Sequence, residues 1–293
     1  MKIKSITIDY STLSQWRSCP QKFAYRTLMS LVEPTPSPAL DFGRIIHLGI
    51  ESLYEADLSH AYTQMRNAAV GSSIEHLGPN ERRSLPHAEL LLRRYQENYN
   101  PDPLKGCTNE KKHTAVLGCT PSGILVRYRG TVDGLKDTTL IERKTSTWLG
   151  TSFINRINPS DQATGYAFLA TDLLGTPVTE IIYDGLGTTG YGLKSDPKNW
   201  PINKRPADLF ARAITHRSPE AIGEWKSRVL YDVERLAQDV ERGSFSVNAP
   251  DACTAFNSMC PYANLCRASE TARENLISNS MTEEPWASFA INS

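Results

Sequence analysis

The chain has 293 residues, 40% of them hydrophobic, and it carries 32 basic and 32 acidic residues. This length and apolar content are enough for one large domain or two smaller ones. The charge balance provides no overall field that would attract nucleic acid, although a local groove can still be basic. No apolar run approaches the roughly 20 residues of a membrane span, and residues 1–16 lack the apolar core of a signal peptide. We therefore expect an intracellular, cytoplasmic protein with no membrane partner, in which the six cysteines are more typical of thiols or metal ligands than of disulfides.

The N-terminal third is predicted to be mainly helical. Its elements in chain order are a short extended start, a helix over residues 11–28, a proline-rich linker over 32–41 and helices over 43–58, 60–77 and 84–99. Pro20 is compatible with the first helix if it lies in a first turn. Ile46, Ile50 and Leu53 recur at helical spacing. We interpret residues of about 44–105 as a helical insertion that precedes a sheet.

The rest of the chain combines strands with helices. The predicted elements are strands over 111–117, 123–134 and 139–145, a helix over 160–175, a strand over 179–186, a long loop over 187–205, and helices around 206–217 and 220–242. The strand–helix–strand run predicts a right-handed crossover onto a mixed sheet. Residues 268–293 are polar, and we expect them to form a mobile tail.

The stretch GTVDGLKDTTLIERKTS, residues 130–146, predicts a β-hairpin that carries two acids and a lysine. If Asp137 and Thr138 form a two-residue turn, Asp133 faces Glu142 across the hairpin with Cβ atoms roughly 5 Å apart. Lys144 then lies on the same face, two residues further along the strand. Two carboxylates this close repel each other unless a cation lies between them, and oxygen ligands suit Mg²⁺ or Mn²⁺. The alternative is an ordinary surface hairpin with a Glu–Lys ion pair.

The order of four short motifs resembles a known nuclease family. GTVD is followed nine residues later by ERK, with GRIIH upstream and QATGY downstream. Together they resemble the PD-(D/E)XK nuclease superfamily, in its RecB-like branch, over residues 10–267. The resemblance implies an α/β fold with a central mixed β-sheet flanked by helices, a restriction-endonuclease-like core. It also implies a single nuclease domain over 1–267, with a catalytic core at about 106–186 and C-terminal helices and a cysteine cluster at 206–267.

The resemblance assigns roles to particular side chains. The implied ligands of Mg²⁺ or Mn²⁺ are His47, Asp133, Glu142 and the backbone carbonyl of Arg143. The implied catalytic groups are Lys144, which would orient the attacking water, and Gln162 and Tyr166, which share one face of the crossover helix. The alternatives are a capping or core role for His47 and helix–sheet packing for Gln162 and Tyr166.

The cysteines resemble a second pattern. Cys19 lies in RSCPQKFAYR, and CTAFNSMCPYANLC supplies Cys253, Cys260 and Cys266. This pattern is similar to that of the iron–sulfur exonucleases associated with CRISPR loci, in which one N-terminal and three C-terminal cysteines bind a [4Fe–4S] cluster. The spacing departs from the family at Cys253, because six residues instead of two separate it from Cys260. Zn²⁺ is the alternative occupant; Cys107 and Cys119 are expected to be ordinary thiols.

Function follows from these two resemblances. We expect hydrolysis of DNA by a Mg²⁺- or Mn²⁺-dependent exonuclease that acts on ends or single strands, with a recombination or CRISPR-type protein as a possible partner. The sequence lacks the phosphate loop of a helicase motor. Basic and aromatic residues suited to a single strand, or alternatively to a solvated loop, are Trp148, Lys194, Lys198, Lys204 and Arg205. The alternatives are a non-catalytic DNA-binding or adaptor subunit with the same fold, and a nuclease that acts on RNA.

Overall fold

The computed structural model describes residues 2–33, 37–78, 81–147, 149–188, 209–255 and 258–292. The chain divides into two compact units, and each is assembled from separated segments. Unit 1 consists of residues 1–35, 112–130 and 220–293, and unit 2 consists of residues 36–111 and 131–219. Among the helices of the described ranges, none is both long enough and apolar enough to cross a membrane.

The secondary-structure elements alternate between helices and strands along most of the chain. From the N-terminus they are β1 (Ser5–Ile8), α1 (Tyr10–Ser18), α2 (Pro20–Phe23), a π-helical turn (Ala24–Leu28), β2 (Leu31–Val32), α3 (Pro38–Glu55), α4 (Leu58–Ala69), α5 (Leu85–Asn98), β3 (Lys111–Cys119) and β4 (Leu125–Val132). They continue with β5 (Gly134–Lys136), β6 (Thr139–Ser146), α6 (Thr151–Ile157), α7 (Asp161–Leu174), β7 (Glu180–Gly187), β8 (Phe210–His216), α8 (Pro219–Arg242), a 3-10 turn (Asp251–Cys253), α9 (Ala263–Arg267), α10 (Glu270–Ser280), β9 (Thr282–Glu283) and β10 (Ala290–Asn292).

Unit 1 is built on a four-stranded sheet with the strand order β10-β1-β4-β3. β1 is parallel to β4 and antiparallel to β10. The long helix α8 buries one apolar stripe, and its Trp225 ring meets the ring of Tyr128 on β4 edge to face, with 5.0 Å between the centroids. The helix is amphipathic, so this stripe gives the sheet of unit 1 its core.

The predicted helix over residues 11–28 is interrupted at Cys19. This residue is extended, with φ −161° and ψ 108°, and Pro20 begins α2. The proline ring disfavours helical geometry for the residue before it, so the chain bends at Cys19 instead of continuing as one helix.

The prediction of a mobile tail over residues 268–293 is wrong for the described residues. They contain α10, and β9 pairs with β2 while β10 pairs with β1. Two aromatic contacts hold the segment: Phe289 packs edge to face on Phe23 at 5.3 Å, and the Arg26 guanidinium lies 4.6 Å above the Trp286 ring. Sparse aromatic anchors are enough to fix a polar segment because each buries a large area.

Unit 2 begins with three helices that correspond to the predicted insertion. α3, α4 and α5 share one apolar core, which includes Ile46, Ile50, Met65 and Leu92. The side chain of Asp57 caps α4. α4 ends at Ala69, earlier than the predicted residue 77, because the chain then enters a series of turns that starts at Gly71 with φ 73°.

The sheet of unit 2 has the strand order β5-β6-β7-β8. β6 and β7 are parallel and are joined through α7, as the predicted crossover requires. The predicted α/β class with mixed sheets flanked by helices is confirmed. Within the described ranges the strands form two four-stranded sheets and a two-stranded one, β2 with β9, because β4 ends at Val132 and β5 starts a new pairing at Gly134.

The predicted helix around residues 206–217 is wrong in its described part. Residues 210–216 form β8, which pairs antiparallel with β7 along its length. Phe210, Ile214 and Thr215 favour a strand. The pairing with the fully formed β7 decides between the two structures, since a short segment of mixed polarity has little helical preference of its own.

Candidate active site

The β5–β6 hairpin has the predicted register. Gly134 pairs with Ile141, Leu135 with Leu140 and Lys136 with Thr139, so Asp137 and Thr138 form the turn. Asp137 has a φ of 53°, a left-handed conformation that Asp tolerates better than most residues. Asp133 therefore comes just before the first paired residue, across from Glu142.

Asp133 is held at both carboxylate oxygens. The backbone nitrogen of Arg143 donates to Oδ2 at 2.8 Å, and Nδ1 of His47 lies 3.6 Å from Oδ1. Burial by itself raises the pKa of Asp133, but the hydrogen bond and charge of His47 and the charge of Lys144 outweigh it and lower the pKa below its usual range. Asp133 is therefore an anion at neutral pH.

The close approach of α3 to β6 brings His47 to this carboxylate. Gly43 lies one helical turn before His47, and a Cβ atom at that position would lie 3.3 Å from Oγ1 of Thr145. That separation is tighter than an ordinary van der Waals contact, so the glycine of the GRIIH motif lets the helix lie against the strand. The structure thus joins His47 and Asp133, which are far apart in the sequence.

Glu142 and Lys144 form an ion pair in which the carboxylate is buried and the ammonium is partly exposed. Nζ of Lys144 lies 2.5 Å from Oε1 of Glu142, whose side chain is 1% exposed while that of Lys144 is 37% exposed. Oε2 of Glu142 is buried and has no hydrogen-bond partner among the described residues. Burial, together with the nearby Asp133 charge, raises the pKa of Glu142 to about 7 although Lys144 opposes the shift. Burial would lower the pKa of Lys144, but the Glu142 carboxylate outweighs it and raises that pKa.

Gln162 and Tyr166 lie on α7 and contact each other. Nε2 of Gln162 donates to the Tyr166 hydroxyl at 3.1 Å. Burial, followed by the charge of Glu142, raises the pKa of Tyr166 to about 12. The hydroxyl therefore stays protonated at neutral pH and lies within electrostatic range of the Glu142–Lys144 pair.

Two neighbours of the site were missed by the sequence reasoning. Tyr183 is buried on β7 and is the strand partner of Glu142. Glu51 lies one turn after His47 on α3, accepts a hydrogen bond from the backbone nitrogen of Glu110 at 3.1 Å, and has a pKa raised by burial. The spacing of four from His47 was the available signal for Glu51, whereas Tyr183 needed the β6–β7 register.

The oxygen-rich group fits a divalent cation in its chemistry. In the part of the chain that the structure describes, no three His, Cys, Asp or Glu side chains are close enough together to form a metal centre. Lys144 neutralises Glu142 on one side, and the other oxygen, Oε2, is buried and unpaired. A buried carboxylate oxygen without a partner is costly, and a cation shared with Asp133 would satisfy it.

The four cysteines of the predicted cluster all belong to unit 1, and they are free thiols. In the described ranges, no three of them are close enough together to form a metal centre. The backbone nitrogen of Cys260 donates to the carbonyl of Cys253 at 2.7 Å, which closes the longer spacing between these two residues. Burial and then the charges of Cys19, Cys260 and Cys253 raise the pKa of the Cys266 thiol. The Cys266 thiol is therefore within electrostatic range of the other three cysteines.

An apolar cluster packs around two of these thiols. Cys260 and Cys266 pack against a core of Tyr25, Leu31, Tyr262 and Leu265, with residues of α10 at its edge. The Tyr262 hydroxyl donates to the carbonyl of Leu31 at 2.6 Å. The segment that carries the C-terminal cysteines is thereby fixed to the turn and strand that follow Cys19. The other predicted contact residues, Trp148, Lys194, Lys198, Lys204 and Arg205, lie outside the described residues.

Comparisons with known proteins identify the family and the fold. A family model of the PD-(D/E)XK nuclease superfamily matches residues 7–267. Among solved structures, the chain is similar to a protein of Eubacterium rectale described as a candidate exonuclease, with a TM-score of 0.53 and 12% identity over 90% of this chain and 94% of that one, which shows a shared fold. None of the curated proteins matches the sequence significantly. The family match includes every residue of the candidate active site, and the chain belongs to the PD-(D/E)XK nuclease superfamily.

Proposed function

We propose that this chain is a Mg²⁺- or Mn²⁺-dependent deoxyribonuclease, an exonuclease that hydrolyses phosphodiester bonds at DNA ends or in single strands. The observation that carries the proposal is the buried Glu142 carboxylate, with one oxygen on Lys144 and the other unpaired, across the hairpin from the anionic Asp133. Membership of the nuclease superfamily supports it further.

The residues of the site divide into two groups by chemistry. His47, Asp133, Glu142 and the Arg143 carbonyl would hold the cation, which when bound supplies a Lewis acid for the phosphate oxygen. Lys144 keeps its proton because its pKa is raised. It therefore acts as a hydrogen-bond donor that orients the attacking water and stabilises charge on the phosphate, and it does not act as a base.

Gln162 and Tyr166 complete the polar surface beside this pair. Their mutual hydrogen bond holds the amide and the phenol in one orientation. Because Tyr166 stays protonated, it can donate to a phosphate oxygen or to the water. We assign these two residues to positioning the substrate next to Lys144.

One assay tests the reaction against its two alternatives. The purified protein is incubated with end-labelled single-stranded DNA, double-stranded DNA and RNA of the same sequence, with Mn²⁺ and with excess chelator. We expect Mn²⁺-dependent shortening of DNA from its ends. Binding of DNA without cleavage would support an adaptor subunit, and cleavage confined to RNA would support a ribonuclease.

The matched control for this assay is a pair of glutamate variants. Glu142→Ala is expected to remove cleavage. Glu97→Ala removes an acid that is 52% exposed and paired with Arg94 on α5, and it is expected to keep full activity. Full cleavage by Glu142→Ala protein would overturn the assignment of the site.

We further propose that Cys19, Cys253, Cys260 and Cys266 hold a [4Fe–4S] cluster, with Zn²⁺ as the alternative. Four thiolates are the ligand set that such a cluster requires, and the electrostatic effect of Cys19, Cys253 and Cys260 on Cys266 supports the proposal. The cluster would connect the junction of α1 and α2 to the segment that runs from Cys253 into α9, and its role would be structural. The similarity of the cysteine pattern to CRISPR-associated exonucleases is the basis for a recombination or CRISPR-type protein partner.

A further inference from the structure

Arg143, the middle residue of the ERK motif, has a side chain that the mechanism above does not use. It is among the largest fully buried side chains of the protein, at 1% exposure. Its guanidinium donates to the backbone carbonyl of Asp133 through Nη1 at 3.0 Å and to the sulfur of Cys107 through Nη2 at 3.4 Å, while Nε has no partner among the described residues. A buried guanidinium held by neutral acceptors is costly, so its retention calls for a role.

Arg143 forms two hydrogen bonds with Asp133, one from its backbone and one from its side chain. The backbone nitrogen of Arg143 donates to the side-chain Oδ2 of Asp133 at 2.8 Å, and Nη1 donates to the Asp133 carbonyl at 3.0 Å. Strand pairing in this hairpin starts only at Gly134. The backbone of Asp133 therefore takes no part in the strand pairing of the hairpin. The guanidinium of Arg143 provides a hydrogen bond to its carbonyl instead.

The guanidinium is itself fixed by a polar network. It lies 5.6 Å from the Tyr54 ring centroid, and the Tyr54 hydroxyl donates to Asp102 at 2.6 Å. Asp102 and Asp184 share one cation, Arg212, at 2.7 and 3.0 Å. Tyr54 thus connects the guanidinium of Arg143 to this group of charges.

We propose that Arg143 is a positioning residue that fixes the direction of the Asp133 carboxylate through the Asp133 carbonyl. With Oδ2 on the backbone of residue 143 and the carbonyl on its guanidinium, Oδ1 is left to face His47 and the cation position. This inference rests on the proposed metal-dependent function and deepens it. An aliphatic side chain at 143 would fill the space but leave the Asp133 peptide free to turn, and lysine would provide a single flexible donor in place of a planar fork.

The test measures Mn²⁺ binding directly by calorimetry, alongside turnover. We expect Arg143→Met to weaken Mn²⁺ binding about tenfold, in line with the loss of one hydrogen bond from a charged donor. Turnover at saturating Mn²⁺ should fall less than affinity does, because the variant keeps the backbone carbonyl of residue 143 and removes only the guanidinium that holds the Asp133 carbonyl. Arg143→Lys should fall between the two proteins in affinity.

A second buried arginine provides the matched control. Arg217 donates to Thr164, Thr215 and backbone carbonyls at 2.7–3.1 Å, and it does not contact Asp133. Arg217→Met should lower the melting temperature and leave Mn²⁺ affinity unchanged. In an Asp133→Asn background, Arg143→Met should weaken Mn²⁺ binding no further, because the two residues act through one ligand.

The outcomes separate this inference from the proposed function. The positioning role is overturned if the Arg143→Met protein binds Mn²⁺ as tightly as the wild type does. It is also overturned if Arg143→Met weakens Mn²⁺ binding by the same factor in the Asp133→Asn background as in the wild type. Either result leaves the nuclease reaction intact. Failure of the wild type to bind Mn²⁺ overturns both. If Arg143→Met protein does not fold, Arg143→Lys decides: unchanged Mn²⁺ affinity overturns the inference, and a loss of affinity larger than the loss of turnover at saturating Mn²⁺ supports it.

Discussion

His47 and Asp133 are 86 residues apart in the sequence, and Nδ1 of one lies 3.6 Å from Oδ1 of the other. If both bind the cation, His47→Ala removes one ligand and lowers affinity more than turnover. We expect the Mn²⁺ concentration for half-maximal activity to rise on the order of tenfold or more, with partial recovery at high Mn²⁺ by mass action. His76→Ala, which removes a ring that is 91% exposed, is the control. Loss of stability in His47→Ala protein with an unchanged Mn²⁺ dependence would mean that His47 only packs.

Substitutions at Lys144 and at Asp133 should affect turnover and Mn²⁺ binding differently. Lys144→Ala removes the cation that orients water and is expected to reduce turnover on the order of 10²–10³-fold while Mn²⁺ binding persists. Asp133→Asn keeps the shape but removes the charge, and it should weaken Mn²⁺ binding while leaving it measurable at high Mn²⁺. Calorimetric titration and single-turnover cleavage of the two variants distinguish the roles, and identical losses of binding in both would contradict the division.

A [4Fe–4S] cluster bound by the four cysteines would make the purified protein coloured. Protein purified without oxygen should be brown, with about four irons per chain and broad absorbance from sulfur-to-iron charge transfer, as expected for four-thiolate ligation. Cys19→Ser, Cys260→Ser and Cys266→Ser should each bleach the protein and lower its melting temperature. Cys119→Ser, which changes an exposed thiol, should do neither. A colourless wild-type protein that contains one zinc per chain would show that the cysteines bind zinc and not iron. A Cys253→Ser protein that stays brown with full iron would show that Cys253 is not a ligand.

His87 predicts a loss of stability in weak acid. The ring is buried, and its Nδ1 accepts a hydrogen bond from the backbone nitrogen of Arg83. Burial, with the charges of Arg82 and Arg83, lowers the pKa of His87 to about 4, whereas an unfolded histidine has a pKa of about 6.5. The unfolded chain then binds the proton more readily, so this contribution to stability is complete above pH 6.5 and is lost as the pH falls toward 4.

The size of that loss is at most about 3 kcal/mol, from 1.36 kcal/mol for each pKa unit. Urea unfolding at pH 7.5 and pH 4.5 measures it in the wild type, in His87→Gln and in the exposed control His76→Gln. We expect the free energy of unfolding to change less between pH 7.5 and pH 4.5 in His87→Gln than in the wild type or in His76→Gln. Equal pH dependence in all three proteins would exclude His87 as the cause.

The C-terminal segment predicts a stability effect that a mobile tail would not show. Nε1 of Trp286 donates to Oγ1 of Thr12 at 2.7 Å, and the ring lies under Arg26. Trp286→Ala should destabilise the protein by about 2 kcal/mol, from lost aromatic burial and the cation–π contact. Glu283→Ala, at an exposed position of β9, should change little. Thermal melting compares them, and equal melting temperatures would show that the segment contributes nothing.

Local rules were sufficient for the hairpin and for α7. A two-residue turn at Asp137 and Thr138, assumed from the sequence, gives the register that the two strands adopt. Ser160 and Gly175 mark the two ends of α7 by their capping chemistry, and both occupy those positions. The acids and the lysine of the site follow directly from that register.

Long-range packing decided what the sequence did not reveal. Residues 210–216 form β8 because they pair with the edge of β7 along its length. The polar C-terminal segment is ordered because Phe289 packs on Phe23 and Trp286 packs under Arg26, both far away in the sequence. The buried side chain of Arg143 is the clearest example. A charged residue in the middle of a motif is expected to face solvent, and only the positions of Tyr54, Cys107 and Asp133 show why it does not.

The strand order β10-β1-β4-β3 has a consequence for synthesis of the chain on the ribosome. The sheet of unit 2 needs no residue after His216, whereas β1 is flanked by a strand that ends at Val132 and by one that starts at Ala290. β1 therefore leaves the ribosome well before β10, the strand that pairs with its second edge. Domains complete in the order in which their segments emerge, so unit 2 can be folded in a nascent chain in which β1 still has an open edge.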